Sequence, residues 1–339
     1  MNILVTGGAG FIGSHTVVEL VNSGFLPIIV DDFSNSELSV LTGLKNILGI
    51  DVPFYNVDCN DFEALEKVFI DNTIEGVIHF AAFKAVGESV MKPLKYYKNN
   101  LNSLLTVLEL MQKYEVRNLV FSSSCTVYGE PEQIPVTEQT IRKKSESPYG
   151  NTKTIGEDIL VDVTKADKNL KIISLRYFNP IGAHKTAEIG ELPNGVPSNL
   201  VPFITQTAIG KRGKLTVFGN DYQTPDGSNV RDFIHVVDLA KAHVSALNLL
   251  EKTNGGYYNV FNIGTGRGNS VLEVISIFEK VNKLKLNYEI GPRREGDVEK
   301  IYGDVTKARE LLNWVAQETL EDSLKDAWAW ELKLKNRKN

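Results

Sequence analysis

The chain has 339 residues, with 42 acidic against 37 basic side chains and a formal net charge of −5. That length suits two closely joined domains better than one core. Apolar residues make up 42% and charged residues 23%, as in an ordinary globular protein, and the negative balance speaks against nucleic acid as a partner. The two cysteines, Cys59 and Cys125, offer neither a disulfide framework nor metal-ligand spacing, so the expectation is a reducing compartment and no metal site. No apolar run approaches the length that spans a bilayer. The chain opens directly in the strand-like run Asn2–Thr6, with no basic and then apolar leader before it. Together these features predict a cytoplasmic protein without a membrane partner.

In chain order, Ile3–Thr6 reads as a strand, Phe11–Ser23 as a helix and Pro27–Val30 as a second strand. Further strands are expected at Pro53–Val57, Val77–Phe80, Leu119–Ser122 and Ile172–Leu175. The periodic segments Asp61–Phe69, Pro93–Tyr114 and Tyr149–Ala166 lie between them. Strands apolar on both faces and separated by helices predict an α/β fold, a doubly wound parallel sheet covered on both sides. After about Asn179 the regularity is lost. Loops rich in Gly, Pro and Asn alternate with shorter elements at Leu215–Phe218, Val236–Leu250, Tyr257–Ile263, Val271–Val281, Leu286–Ile290 and Leu320–Trp330. This predicts a Rossmann-like domain over residues 1–180 and a smaller mixed α/β domain over 181–339, with the return of late segments to the first domain left open. Substrates of such folds sit in the cleft between.

Gly7, Gly10 and Gly13 form G-x-x-G-x-x-G between the first strand and first helix. Glycine allows a tight turn and close approach of backbone N–H groups to a pyrophosphate, and the helix N-terminus adds its positive dipole end. Asp31-Asp32 closes the second strand. A carboxylate there accepts from both ribose hydroxyls and repels a 2′-phosphate, so NAD is expected rather than NADP. A lone glycine motif also serves as a simple tight turn; here its place after a strand, with the acid at the next strand end, favours the cofactor.

Tyr149 and Lys153 stand at i and i+4 and share one helix face. A lysine ammonium one turn from a tyrosine stabilises the phenolate and suits it to act as a base near neutral pH. Ser122-Ser123-Ser124 follows a strand upstream, and Ser124 can hydrogen-bond the same substrate hydroxyl. Taken alone, Y-x-x-x-K is more often an exposed helix pair, and the serines simple turn or cap chemistry; the weight comes from their occurring together.

With glycine motif, acid, serine and Y-x-x-x-K in this order, the chain resembles the extended short-chain dehydrogenase/reductase superfamily, and within it the UDP-glucose 4-epimerases. The resemblance covers essentially the whole chain. It rests on VTGGAGFIGSHT from Val5, DDFSNS from Asp31, HFAAFKAVGES from His79 and FSSSCTVYG from Phe121. SPYGNTK around Tyr149, RYFNPIGAH from Arg176, GNDYQTPDGSNVRDFIHV from Gly219 and RREGDVEKIYGD from Arg293 complete it.

The resemblance implies Tyr149 as catalytic base and acid, supported by Lys153 and Ser124. It places NAD on Gly7, Gly10, Phe11, Ile12 and Gly13, and on Asp31, Asp32, Phe33, Ser34, Asn35 and Ser36. Asp58, Cys59, Phe80, Ala81, Ala82, Lys84 and Asn99 follow, and the cofactor set closes with Ser124, Tyr149, Lys153, Tyr177 and Phe178. It places the UDP-hexose on Lys84, Ser124, Tyr149, Asn179, Asn199, Leu200, Thr216, Val217, Phe218, Arg231, Arg294, Asp297 and Ile301. Arg231 and Arg294 are planar cations suited to a diphosphate. The implied reaction removes the O4 proton and the C4 hydride, lets the 4-keto sugar swing to its other face and returns both, with NAD regenerated each turn. A 4,6-dehydratase needs a further acid/base pair, Asp-Glu in that family, where this chain has Cys125 and Thr126. A non-catalytic NAD-binding protein is expected to lose Tyr149 or Lys153, and both are present.

By pattern alone the apolar stripe on Pro93–Tyr114 fits burial within one subunit nearly as well as an interface, and the family resemblance turns the expectation to a homodimer built from the helices within Pro93–Tyr114 and Tyr149–Ala166. Leu94, Tyr97, Leu101, Leu104, Leu108 and Met111 form an apolar stripe, broadened by Leu105, Val107 and Leu110. In relatives a tyrosine at the position of Ile301 excludes an N-acetyl group and a small residue admits it. Ile301, branched and stiff, implies weaker use of UDP-N-acetylglucosamine beside efficient use of UDP-glucose and UDP-galactose. His15, His235 and His243 are expected to be structural.

Overall fold

Parallel strands need crossovers, and the chain supplies them in turn. In the computed structural model, which describes residues 1–294 and 297–337, β1 (Asn2–Thr6), α1 (Phe11–Asn22), β2 (Leu26–Asp31), α2 (Ser39–Leu48), β3 (Phe54–Asn56), α3 (Phe62–Asp71) and β4 (Gly76–His79) alternate. Two helices, α4 (Val86–Met91) and α5 (Pro93–Lys113), lead to β5 (Asn118–Ser124), and α6 (Pro148–Ala166) leads to β6 (Lys171–Tyr177). The second half carries β7 (Asn179–Ile181), α7 (Leu200–Ala208), β8 (Leu215–Phe218), β9 (Val230–Arg231), β10 (Phe233–His235) and α8 (Val236–Lys252). It continues with β11 (Tyr257–Ile263), β12 (Asn269–Ser270), α9 (Val271–Asn282), β13 (Tyr288–Gly291), β14 (Lys300–Ile301), α10 (Thr306–Leu311) and α11 (Leu320–Arg337). Glu295 and Gly296, within the stretch beginning at Arg293, and Lys338 and Asn339 of the second-half expectation lie outside the described residues.

The large sheet has seven strands in the order β11-β6-β5-β4-β1-β2-β3, all parallel. Its order reverses between β1 and β4, which opens the crevice used by ligands in doubly wound sheets. Successive residues face opposite layers. Ile3 and Val5 join the side covered by α1 and α8, while Leu4 joins the side covered by α3, α5 and α6. Burial on both faces explains the unbroken apolar runs read in the sequence. The expected strands fall where the chain places them, with ends shifted by a residue or two; Val77–Phe80, for example, is Gly76–His79.

The two halves interleave. Strand β11 adds to the edge of the large sheet beside β6, and Leu239, Leu247 and Leu250 of α8 share one core with Val17 and Leu20 of α1. The remaining second half forms its own core of Val201, Ile204, Leu215, Val217, Val274, Phe278 and Leu324. A small cluster of Cys125, Val127, Tyr128, Val136, Phe178 and Ile301 joins the two.

The stripe read on Pro93–Tyr114 is corrected in part. Leu104, Val107, Leu110 and Met111 are buried within this subunit, facing the sheet, while Leu94 is 80% and Leu105 42% exposed. Among the described residues no helix is long and apolar enough to cross a membrane.

Candidate active site

The chain leaves β1 through a turn that only glycine permits. Gly7 has φ +69, and a Cβ there would lie 2.9 Å from the backbone nitrogen of Ala81, just beyond β4. At Gly13 a Cβ would lie 2.2 Å from the carbonyl oxygen of Gly7. Gly10 begins α1 without a side-chain cap, so the first-turn N–H groups of Phe11, Ile12 and Gly13 are left for an anion. Asp31 underpins the loop. One of its oxygens accepts Ala9 N–H at 2.9 Å, and the other accepts Phe33 N–H at 3.0 Å and the Ser36 hydroxyl at 2.8 Å. Burial pushes its carboxyl up and these hydrogen bonds pull it back. Asp32 is exposed and spends one oxygen on Ser34, at 2.9 Å from the amide and 2.7 Å from the hydroxyl. The two acids therefore separate into a buried one at the loop and a solvated one beyond it.

Around this cradle, Phe33 takes φ +55 and sets its ring edge-on to Phe54 at 6.3 Å, and Asn35 is exposed. Cys59 is buried and its thiol is pushed far up by desolvation, so it is a neutral neighbour. Asp58 folds back on Asn60, Asn99 is tied to Asn60 and Asn100, and Phe80 packs 4.7 Å from the His243 ring. Ala81 and Ala82 follow β4, half-buried. His15 and His243 bond the carbonyls of Phe11 and Leu239 on their own helices, and His235 accepts Val237 N–H and lies 3.3 Å from an Asp326 oxygen.

The chemical end lies across the crevice. Ser147 caps α6 by accepting Gly150 N–H at 3.2 Å, which sets Tyr149 and Lys153 in the first turns beside the end of β5. Lys153 is 4% exposed, its ammonium 5.0 Å from the Phe121 ring centroid and 6.0 Å from that of Tyr149. Among the described residues it has no carboxylate or hydrogen-bond partner. Burial lowers it to about 7. Burial likewise pushes the Tyr149 phenol up to about 12, while the neighbouring Ser124 hydroxyl works the other way. In the free chain desolvation is the largest influence on both groups, each being pushed toward its neutral form. A buried ammonium without a partner fits ribose hydroxyls, and a capless glycine-lined helix end fits a pyrophosphate, so these residues fit a dinucleotide. Tyr177 is fixed by a short hydrogen bond to Ser122, and Phe178 lies buried against Gly264 and Gly303.

At the second-half side, Arg231 on β9 pairs in register with Ile301 on β14. Burial lowers the Arg231 guanidinium and the nearby Asp297 carboxylate opposes this. Arg294 forks onto Asp297 at 3.1 and 2.6 Å and lies 5.6 Å from the Phe218 ring. Thr216 and Phe218 are accessible on β8, whereas Val217 is 1% exposed and points into the core, leaving only its backbone for a ligand. Asn179 donates its N–H to the Asp232 carbonyl, and Leu200 opens α7, half-buried. Asn199 and Lys84 meet the same carboxylate oxygen of Glu191, at 2.7 and 3.3 Å. Ile301 is 5% exposed, seated against the cluster around Cys125. No metal-holding group of side chains occurs among the described residues.

The family model for GDP-mannose 4,6 dehydratase matches residues 4–327. The UDP-glucose 4-epimerase of Dictyostelium discoideum is 50% identical over 97% of this chain and 95% of its own length. That of Bacillus subtilis is 50% identical over 98% and 97%. The chain belongs to the UDP-glucose 4-epimerase family. A solved UDP-glucose 4-epimerase from Bifidobacterium longum, in complex with NAD+ and UDP, superposes with a TM-score of 0.95 at 46% identity over 99% of both chains.

For a member of this family, some polar residues behind the site carry no motif of their own. Glu191 bridges Lys84 and Asn199. Glu157, on α6 one turn after Lys153, forms a buried pair with Arg176 and accepts the Ser123 hydroxyl. The only sequence signal for Glu157 is its i+4 step from Lys153 and i+8 from Tyr149. Nothing in the pattern marked Arg176 as its partner, because that contact is long-range.

Proposed function

We propose that this protein is an NAD-dependent isomerase that interconverts UDP-glucose and UDP-galactose by inverting C4 through a transient 4-keto sugar. The observation that carries the reading is the placing of Tyr149 one helical turn from the buried Lys153, its ring centroid 6.0 Å from the ammonium, beside the end of β5 where Ser124 stands, in a chain half identical to UDP-glucose 4-epimerases over nearly its whole length. Residues 1–180 hold the cofactor and residues 181–339 the UDP-sugar, with Tyr257–Ile263 given back to the first sheet.

Tyr149 takes the proton from O4 and later returns it to the opposite face, while Ser124 donates to the same oxygen. NAD, when bound, would supply the acceptor for the C4 hydride and a positive charge that favours the phenolate. Lys153 holds the nicotinamide ribose and stabilises the phenolate. Asp31 takes the adenosine ribose and excludes a 2′-phosphate, and the open end of α1 takes the pyrophosphate. Arg231 and Arg294 grip the diphosphate of the substrate, with Asp297 surrendering part of its fork to it. Anchoring UDP while the sugar stays loose lets the keto intermediate turn over; binding energy from the remote half holds a mobile reactive group.

Three narrower readings belong to this proposal. The first is a homodimer through the outer faces of α5 and α6, supported by exposed Leu94 and Leu105. The second is weaker turnover of UDP-N-acetylglucosamine, because isoleucine at 301 is smaller than the tyrosine of restrictive relatives. The third is a cytoplasmic location, which fits two buried free thiols. Purified protein, assayed for conversion of UDP-galactose to UDP-glucose, tests the main reading. Conversion is expected, and its absence in folded, NAD-loaded protein contradicts it. Light scattering that gives a monomer at micromolar concentration contradicts the dimer.

A further inference from the structure

Tyr149, Lys153 and Glu157 succeed one another at single turns along α6, and Glu157 has a side chain only 2% exposed. Its carboxylate is fully engaged. One oxygen accepts the Ser123 hydroxyl at 2.6 Å and Arg176 Nε–H at 2.8 Å; the other accepts Arg176 Nη2–H at 2.5 Å and Arg142 Nη1–H at 3.4 Å. Ser123 and Arg176 stand opposite each other on β5 and β6, and the next paired residues are Ser124 and Tyr177. The helix that carries Tyr149 is therefore fastened to two strands one residue before Ser124.

We propose that Glu157 and Arg176 are positioning residues for the reaction inferred above, on which this inference rests: their bidentate pair fixes α6 against β5 and β6 and so holds Tyr149 in place beside Ser124 at the end of β5. A bidentate guanidinium–carboxylate fork sets direction as well as distance. Polar interactions between hydroxyls depend steeply on distance and angle, so a small slide of α6 changes how Ser124 acts on the Tyr149 phenol. A buried ion pair is a poor way to gain stability, since well-packed apolar side chains often do as well or better, whereas a fixed register is something apolar packing specifies less sharply. The network also continues outward. Arg176 Nη1 donates to the Tyr128 hydroxyl at 3.1 Å, and that hydroxyl donates to Asn262 at 2.6 Å. Asn262 donates to the Val136 carbonyl at 2.9 Å, and Val136 N–H to the carbonyl of Tyr302 at 3.0 Å. The same bonds thus join the base helix to the residue after Ile301.

The groups around Tyr149 are Lys153 on its own helix, Ser124 and Cys125 at the end of β5, Tyr96 on α5 and Tyr177 on β6. Of these, Ser124 works to lower the phenol, against the larger upward push of burial. Loosening that influence moves Tyr149 upward.

The test uses Glu157→Gln and, because that leaves Arg176 unbalanced, the double variant Glu157→Met with Arg176→Met, which removes both charges. Folding is checked by circular dichroism, and kcat and KM for UDP-galactose are measured against pH on NAD-loaded protein. The acid limb of kcat is expected to move up by about one pH unit, an approximately tenfold loss on that limb that recovers at higher pH. KM is expected to stay within about twofold. Titration of the Tyr149 phenol by ultraviolet difference against Tyr149→Phe should show the same upward shift without substrate. An acid limb and a phenol titration that coincide with wild type in the folded double variant overturn the proposal. So does a loss of kcat that is equal at every pH. An inactive wild type speaks instead against the reaction, and the phenol titration still decides on the pair.

Discussion

Replacing Gly13 by alanine probes the cofactor cradle at its tightest point. The new Cβ would stand 2.2 Å from the Gly7 carbonyl oxygen and 2.8 Å from Gly8 Cα, where real contacts do not fall below 3.0 Å. The atoms it meets are backbone, so the loop itself must move. Overpacking of this kind costs about 1–3 kcal/mol, and alanine in a helix returns about 1 kcal/mol through propensity. The net cost to stability is therefore about 0–2 kcal/mol. The displaced loop is what receives the pyrophosphate, so the full cost falls on binding, which corresponds to about 5- to 150-fold weaker NAD. Gly10→Ala, with a single contact at 3.1 Å, should lose less, and Gly87→Ala, with nothing within 4 Å, should lose nothing. The assay is titration of cofactor-stripped protein with NAD, alongside thermal unfolding. Wild-type NAD affinity in a stably folded Gly13→Ala protein refutes the reasoning, as does equal weakening by Gly87→Ala.

Burial lowers Lys153 to about 7 from 10.5, so its folded form resists protonation. Its contribution to stability is intact above pH 10.5, is lost as pH falls through about 7 and stays lost below that. In cofactor-free protein the Tm of Lys153→Met relative to wild type should therefore rise as pH falls across this window; a difference independent of pH contradicts the buried ammonium. Ile301→Tyr should suppress turnover of UDP-N-acetylglucosamine and spare that of UDP-galactose, a discrimination of about 1–3 kcal/mol; undetectable N-acetyl turnover in wild type at high enzyme concentration shows that other residues close the pocket. Leu105→Glu, which puts a charge on the exposed side of α5, should shift a dimer toward monomer in light scattering, and an unchanged dimer places the interface elsewhere.

The alternation of the first half was legible because each strand is buried on both faces and each helix presents one stripe. Val77-Ile78 and Leu119-Val120 can hardly be anything but central strands. Helix α2 escaped because Gly43 sits in its middle against propensity. The reason is tertiary: a Cβ there would lie 2.4 Å from the Glu188 carbonyl oxygen. Strand β11 was legible as a short apolar element, but not its return to the large sheet, which is a pairing with β6 some eighty residues earlier. On α5, Leu104 and Met111 belong to the spacing of the outer stripe yet turn inward, because the buried face centres on Tyr96, Ser103 and Val107. In the site, residue types and order pointed to the chemistry, but not to the electrostatics. Lys153 and Tyr149 are both shifted against ionisation by burial, and no local pattern reports burial. The pairing of Glu157 with Arg176 was invisible for the same reason.

The measurement that bears most directly on the account is turnover of UDP-galactose by Tyr149→Phe beside wild type. The substitution deletes one oxygen and keeps the ring, so NAD and UDP should bind as before. Turnover should fall by on the order of 10²–10⁴-fold, the usual contribution of a general acid–base group. Wild-type-like turnover in clean Tyr149→Phe protein would contradict the assignment of the base, and with it the mechanism built on the placing of Tyr149 beside Ser124 and Lys153.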